Sequence, residues 1–291
     1  MKVIKKSHGG GAEVRQNARQ LTMADARVIS SAAAAAGSFG SGGGNLGPAE
    51  FGPAPRVAPP LDSSFRPLYL ALRVHAEAAR AAGATVLGLA LERRPGVVST
   101  FSLPVFPDGH PQIAASQAIA ERVLKFLLWQ RGGHHVSVAG PTAIAAELAR
   151  QYAPGGARAF DADFFAKIYE QPKFTVEHVT ALPREAEEAK AVGGHLDGCR
   201  IGFDAGGSDR KVAAVIDGKE VFSCEIVWQP KLESDPNYHF DGIDDSIRKA
   251  AEHLPRIDAI GVSSAGIYVD NRTMVASLFR KVPEDAFNAR I

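Results

Sequence analysis

The sequence predicts an α/β protein in which helical and strand-like segments alternate, behind a long leading stretch that builds no core. Three observations carry that expectation. Hydrophobic residues fill 45% of the 291 positions and charged residues 22%, which is enough apolar material for a globular interior. Beyond residue 64, segments with apolar residues three and four apart alternate with short runs rich in Val, Ile and Phe. Glycine-containing breaks, among them Gly132-Gly133 and Asp217-Gly218, separate them.

Residues 31–60 contain 20 Ala, Gly or Pro among 30 positions. Such a run has too little apolar bulk to offset the entropy of ordering it. A disordered Ala/Gly/Pro-rich tail is therefore expected over 1–64. Its first 27 residues carry six basic and two acidic side chains; a solvated leader accounts for them more simply than an anionic partner does.

Residues 65–190 are expected to form an α/β segment of their own, with no role that the sequence assigns. Residues 68–82 read as a helix stopped at Gly83. Strands follow at 84–91 and 97–106, joined by Arg94-Pro95-Gly96. The strongest helix spans 113–131, where Ile119, Val123, Phe126 and Leu127 recur at spacings of three and four before Gly132-Gly133. A strand at His135–Ala139 and helices at 141–152 and 160–169 come next. Residues 181–194 form a charged connector ending in Gly193-Gly194, which places a domain boundary near 190.

From 191 to 291 the pattern sharpens. Arg200–Phe203 reads as a strand, residues 204–210 as a Gly-rich turn, and Lys211–Ile216 as a second strand. Asp217-Gly218 suits a two-residue hairpin turn, since both central positions need positive φ. Lys219–Trp228 is the third strand. Residues 241–254 make an amphipathic helix with Ile243, Ile247, Ala250 and Leu254 on one face and Asp241 as the expected cap. A fourth strand, Ile257–Val262, ends in Ser263-Ser264-Ala265-Gly266. Three strands, a helix and a strand returned parallel to the first by a crossover make the opening half of a ribonuclease-H-like unit.

The turn at 204–211 carries the candidate chemistry. Two glycines at a hairpin tip expose backbone N–H groups with no side chain in the way, and successive N–H groups at a bend make a concave anion site. Ser208 adds a hydroxyl donor. Asp204 repels a phosphate but can hold a Mg²⁺ that bridges to one. Lys211 adds a positive charge, although strand geometry can point it elsewhere. The plain alternative is an ordinary glycine hairpin.

The string GFDAGGSDRKVAAVIDGKEVF resembles the first phosphate motif of the actin, heat-shock chaperone and sugar-kinase superfamily, and AIGVSSAGIYVDN resembles its next landmark. Together, over about residues 198–291, they most resemble the ROK family of sugar kinases and sugar-responsive repressors. The resemblance implies ATP and Mg²⁺ as cofactors and phosphoryl transfer to a sugar or sugar-like hydroxyl. It implies Asp204 at the metal, Gly206, Gly207 and Ser208 around the ATP phosphates, and Gly261, Ser264 and Gly266 beside the γ-phosphate or sugar. Where the family usually has Thr-Lys, this chain has Ser208-Asp209, and Lys211 comes later, nearer to acyl-CoA-reductase-activating and N-acetylglucosamine-kinase-like ATPases. The family's Asn-Asp base segment, its Cys-rich zinc motif and its second phosphate loop do not occur, so a truncated, incomplete kinase is expected. The alternative is a non-catalytic module that binds nucleotide or sugar for regulation. Sugar-responsive repressors of the family carry a helix-turn-helix, which is not evident here.

Other classes are disfavoured. A net charge of +1 leaves no footprint for nucleic acid or an acidic membrane surface. Two cysteines, Cys199 and Cys224, exclude a disulfide scaffold and a four-thiolate zinc site; on what read as neighbouring strands they are expected to be buried free thiols. No segment approaches the ~18 apolar residues of a membrane span, and no signal peptide follows the leading lysines, so a cytoplasmic, possible homo-oligomeric protein is expected. His110 and His239 are expected on loops as structural residues. Asp161 repeats the Phe-Asp-Ala of the turn without its glycines and is assigned no phosphate.

Overall fold

A computed structural model describes residues 53–63, 65–187 and 194–291. Most of the expected tail, and the boundary near 190, lie outside these residues. Those of the tail that are described, 53–63, run as coil and turns, with Val57 and Leu61 exposed.

The architecture is mixed α/β. The first sheet runs in the order β2-β1-β3-β4, built from β1 (Thr85–Arg94), β2 (Val97–Val105), β3 (His135–Ala139) and β4 (Thr175–Val179). Its helices are α1 (Leu68–Ala81), α2 (Ile113–Arg131), α3 (Thr142–Gln151) and α4 (Ala159–Ile168). β1 pairs antiparallel with both β2 and β3, while β4 lies parallel to β3. Alternation along β1 sends Leu87, Leu89 and Leu91 into one core, where they meet Val136 and Val138 of β3. The helical spacing of Ile119, Val123, Leu124, Leu127 and Leu128 presses α2 into the same core. Phe126 stays exposed, at the edge of that stripe.

The second sheet runs in the order β7-β6-β5-β8, from β5 (Cys199–Ala205), β6 (Asp209–Ile216), β7 (Lys219–Val227) and β8 (Ala259–Ser264). β6 is antiparallel to β5 and β7, and β8 is parallel to β5. Asp217 and Gly218 turn the β6–β7 hairpin with φ of 48° and 78°, as that dipeptide requires. The crossover to β8 is α5 (Pro236–Ala251), whose Ile243, Ile247 and Ala250 pack with Ile201, Phe203, Val212 and Ala214. A two-stranded hairpin, β9 (Gly266–Val269) and β10 (Arg272–Ala276), and the short helix α6 (Glu284–Arg290) complete the described chain. Ile267, Val269, Met274 and Val275 of the hairpin rest against the core of the first sheet.

Several expectations need correction. α5 starts at Pro236, not at 241: Asp235 is the cap, accepting the Asn237 N–H at 2.9 Å, and Pro236 fits the first turn. His239 thereby lies inside a helix, buried, rather than on a loop. Cys199 and Cys224 are not on neighbouring strands, since β6 runs between β5 and β7; Cys199 is buried and Cys224 partly so. β4 was not anticipated, and β8 continues through Ser264. Among the described residues no helix is long and apolar enough to cross a membrane.

His75 makes one consequence of this packing measurable. Buried against Phe106 with ring centroids 5.3 Å apart and hydrogen-bonded to Ser116 at 3.1 Å, it is held down to a pKa of about 4 by desolvation. The unfolded chain takes up that proton near pH 6.5. The folded state binds it less readily, so its neutral burial costs nothing above pH 6.5. Stability then falls by up to ~1.4 kcal/mol per pH unit as pH drops from 6.5 towards 4. Urea unfolding across that window should show the loss, and His75→Leu should flatten the slope; an unchanged slope in the variant would assign the acid sensitivity elsewhere.

Candidate functional site

The parallel strands β5 and β8 end side by side, and the candidate residues gather at those ends. Asp204 lies one residue before the end of β5, facing away from α5, with an exposed side chain. In register it stands opposite Lys211 of β6 and Ser263 of β8. The Ser263 hydroxyl donates to Asp204 Oδ1 at 2.6 Å. Gly202 and Gly261 face one another on the same side of the sheet, and a Cβ at either would meet nothing within 4 Å. The result is an open cleft of about 820 Å³ over the sheet face, lined by Gly202, Asp204, Lys211, Ser223, Gly261 and Ser263 among others.

The turn beyond Asp204 is shaped by space rather than by backbone sign. Neither Gly206 nor Gly207 has a positive φ. A Cβ on Gly206 would run into the backbone oxygen of Asp209, which is why the hairpin needs glycine there. A Cβ on Gly207 would run into the side chain of Lys231. The turn is backed by Trp228, whose indole N–H donates to the Gly206 carbonyl at 2.9 Å and whose backbone N–H donates to the Ser208 carbonyl at 3.1 Å. The Arg210 guanidinium lies 5.7 Å from the Trp228 ring centre and binds Asp245 of α5 at 2.7 Å, fixing the turn to the crossover helix.

The structure divides the sequence-derived candidates. Asp204, Lys211 and Gly261 share the open cleft, with Ser263 in place of Ser264. Ser264 instead turns its hydroxyl towards the Ala205 carbonyl at 3.4 Å. Gly266 starts β9, and its closeness to Val275 and Ala276 of β10 gives it a packing role in that hairpin. Gly207 and Ser208 line a separate, smaller cavity with Lys231 and Arg280. Lys211 pairs with Asp209 at 3.0 Å and with Glu225 at 3.8 Å. Its bond to Asp209 raises the lysine's pKa and lowers that of Asp209.

Sequence reasoning missed Ser263, although period-two alternation from Gly261 puts residue 263, not 264, on the face of Asp204. It also missed Lys231 and Arg280, which lie far from the turn in sequence. Cys199 and Cys224 are free thiols, and among the described residues no three His, Cys, Asp or Glu side chains cluster to hold a metal.

The chain matches no protein-family model, no curated protein and no solved structure.

Proposed function

We propose that the second sheet is a ribonuclease-H-like, ROK-like unit that binds MgATP, and that its reaction is phosphoryl transfer to a sugar or sugar-like hydroxyl. The observation that supports this most is the place of Asp204. In open α/β sheets, ligands bind beyond the carboxyl ends of parallel strands, and Asp204 with Ser263 sits at the adjoining carboxyl ends of β5 and β8. The antiparallel β5–β6 hairpin with its two glycines then brings backbone to the same end of the sheet.

The donor set suits Mg²⁺ arriving with a nucleotide. Magnesium takes one or two carboxylates and fills its remaining positions with phosphate oxygens and water. Asp204 offers one exposed carboxylate with Oδ2 free of the Ser263 bond, and no preformed protein cage is needed. When bound, the ion neutralises charge on the phosphates. The residues of this chain orient them: Ser263 fixes the Asp204 rotamer, and the Gly206–Ser208 turn presents backbone to the anion.

One observation favours binding without transfer as the second reading. Phosphoryl transfer to a hydroxyl needs a carboxylate to accept its proton. Besides Asp204 the cleft is lined by one carboxylate, Glu225, and Lys211 pairs with it at 3.8 Å. A regulatory module needs no such base.

Calorimetric titration of MgATP into the full chain tests the shared part of both readings. The wild type should bind, and Asp204→Ala should weaken binding roughly ten- to hundredfold, the loss of one charge-assisted contact of ~1.5–3 kcal/mol. A wild type that ignores MgATP, or an Asp204→Ala variant that binds as tightly, would remove the nucleotide assignment.

A further inference from the structure

The sequence offers Lys211 as the cation of the glycine turn, and the structure occupies it with Asp209 and Glu225. A different pair of cations stands at the turn. Gly207, Ser208, Trp228, Gln229, Lys231 and Arg280, with two apolar neighbours, line a cavity of about 360 Å³. That lining holds two positive charges, a hydroxyl and a side-chain amide, and no carboxylate. Among the described residues neither Lys231 nor Arg280 forms an ion pair.

The two cations are seated by buried structure. The loop that carries Lys231 leaves β7 at Trp228, which is clamped to the turn through the Gly206 and Ser208 carbonyls. Its next residue donates its N–H to the Tyr238 hydroxyl at 3.0 Å. His239, 1% exposed inside α5, donates through Nε2 to the carbonyls of Pro230 and Leu278, both at 3.0 Å. One imidazole thus ties the 228–232 loop to the short turn before Arg280. Arg280 Nε closes the arrangement by donating to the Lys231 carbonyl at 3.1 Å. The Lys231 side chain lies against Gly207, so close that a Cβ there would overlap it. Two cations beside a glycine turn, with no ion pair of their own among the described residues, are the chemistry that receives phosphate oxygens.

We propose that Lys231 and Arg280, with Gly207 and Ser208, form the phosphate-binding site of this protein, and that Lys231 is the cation that neutralises the bound polyphosphate. The proposal deepens the nucleotide reading and rests on it for the identity of the ligand. It does not rest on it for the anion site itself.

The test uses the full chain, with MgATP and inorganic tripolyphosphate as separate calorimetric probes. Lys231→Met keeps the aliphatic stem and removes the charge; it should weaken both probes about ten- to hundredfold, and Arg280→Gln should weaken both to a lesser degree. Lys231→Arg should restore most of the affinity. Thermal melts of each variant confirm that the fold is retained. If Lys231→Met and Arg280→Gln bind both probes as the wild type does, the anion site is wrong even where Asp204→Ala still weakens MgATP. If tripolyphosphate binds in a Lys231-dependent way and MgATP does not bind, the anion site stands and the nucleotide reading falls. If neither probe binds the wild type, both fall.

Discussion

Asp161→Ala should destabilise the protein by about 3–5 kcal/mol, the cost of removing one partner from a buried charge cluster. The Asp161 carboxylate is 3% exposed and accepts from Trp129 Nε1 at 2.8 Å and Lys125 Nζ at 3.0 Å, with Arg158 at 3.9 Å. Trp129 and Lys125 belong to α2 and Asp161 to α4, so the carboxylate joins two helices across the core of the first sheet. Truncation removes the acceptor of the Trp129 indole N–H and the counter-charge of Lys125. Lys125 is 36% exposed and can swing to water, and Arg158 keeps its bond to Glu121, which places the loss towards the lower end. Asp161→Asn retains the shape and an acceptor for the indole, so it should cost less, about 1–3 kcal/mol. Urea unfolding of the two variants measures the difference. A loss below ~1 kcal/mol for Asp161→Ala would mean that water or a neighbour replaces the carboxylate.

That cluster also shows what the sequence could and could not reveal. Phe-Asp-Ala at 160–162 imitates the motif at 203–205 in sequence, yet Asp161 lies buried inside α4 while Asp204 lies exposed near the end of a strand. Long periodic elements were legible. The helix expected at 113–131 and the strand expected at 135–139 have the observed bounds, because their apolar spacing and flanking glycines leave one solution. The start of α5 was not, because the apolar stripe of Ile243, Ile247 and Ala250 begins only after the first turn. Asp235-Pro236 sets that boundary by capping chemistry, which carries no hydrophobic signal. β4 escaped because it pairs with β3 alone, at the end of the sheet, and exposes Glu177 and His178, so its five residues show little apolar alternation.

The candidate site divides along the same line. Asp204, Gly206, Gly207 and Ser208 fall within one short stretch, 204–208, and local turn chemistry announces them. Alternation from Gly261 puts Ser263 on the face of Asp204, but only the parallel register of β8 with β5 sets it directly opposite that residue. Lys231 and Arg280 depend on tertiary seating through His239 and Trp228, and no spacing in the sequence encodes that. The misplacement of His239 on a loop therefore hid more than one residue, since its imidazole joins the two segments that deliver the cations. Lys211 looked like the cation because it is near in sequence. In the structure it pairs with two carboxylates, Asp209 two residues before it and Glu225 across the β6–β7 ladder.

Gly206→Val should abolish MgATP binding, with affinity falling more than about a hundredfold, ~2.7 kcal/mol or more. A Cβ at that position overlaps the Asp209 backbone oxygen and comes within 2.8 Å of Asp209 Oδ1, so the turn itself has to move. The Gly206 carbonyl carries the Trp228 indole bond, and Trp228 opens the loop that seats Lys231, so the displacement passes directly to the cation. Overpacking a closed turn of this kind also costs about 1–3 kcal/mol of stability. Gly202→Val is the matched comparison. Its Cβ meets nothing within 4 Å on the open face of the same strand, and a β-branched residue suits a central strand, so its stability should equal or exceed the wild type's. Calorimetry and thermal melts on both variants separate shape from bulk. A Gly206→Val protein that melts lower yet binds MgATP with wild-type affinity would show that the phosphates lie away from this turn, because no rearrangement that admits the new Cβ leaves both the Asp209 carbonyl and the Trp228 bond where they are.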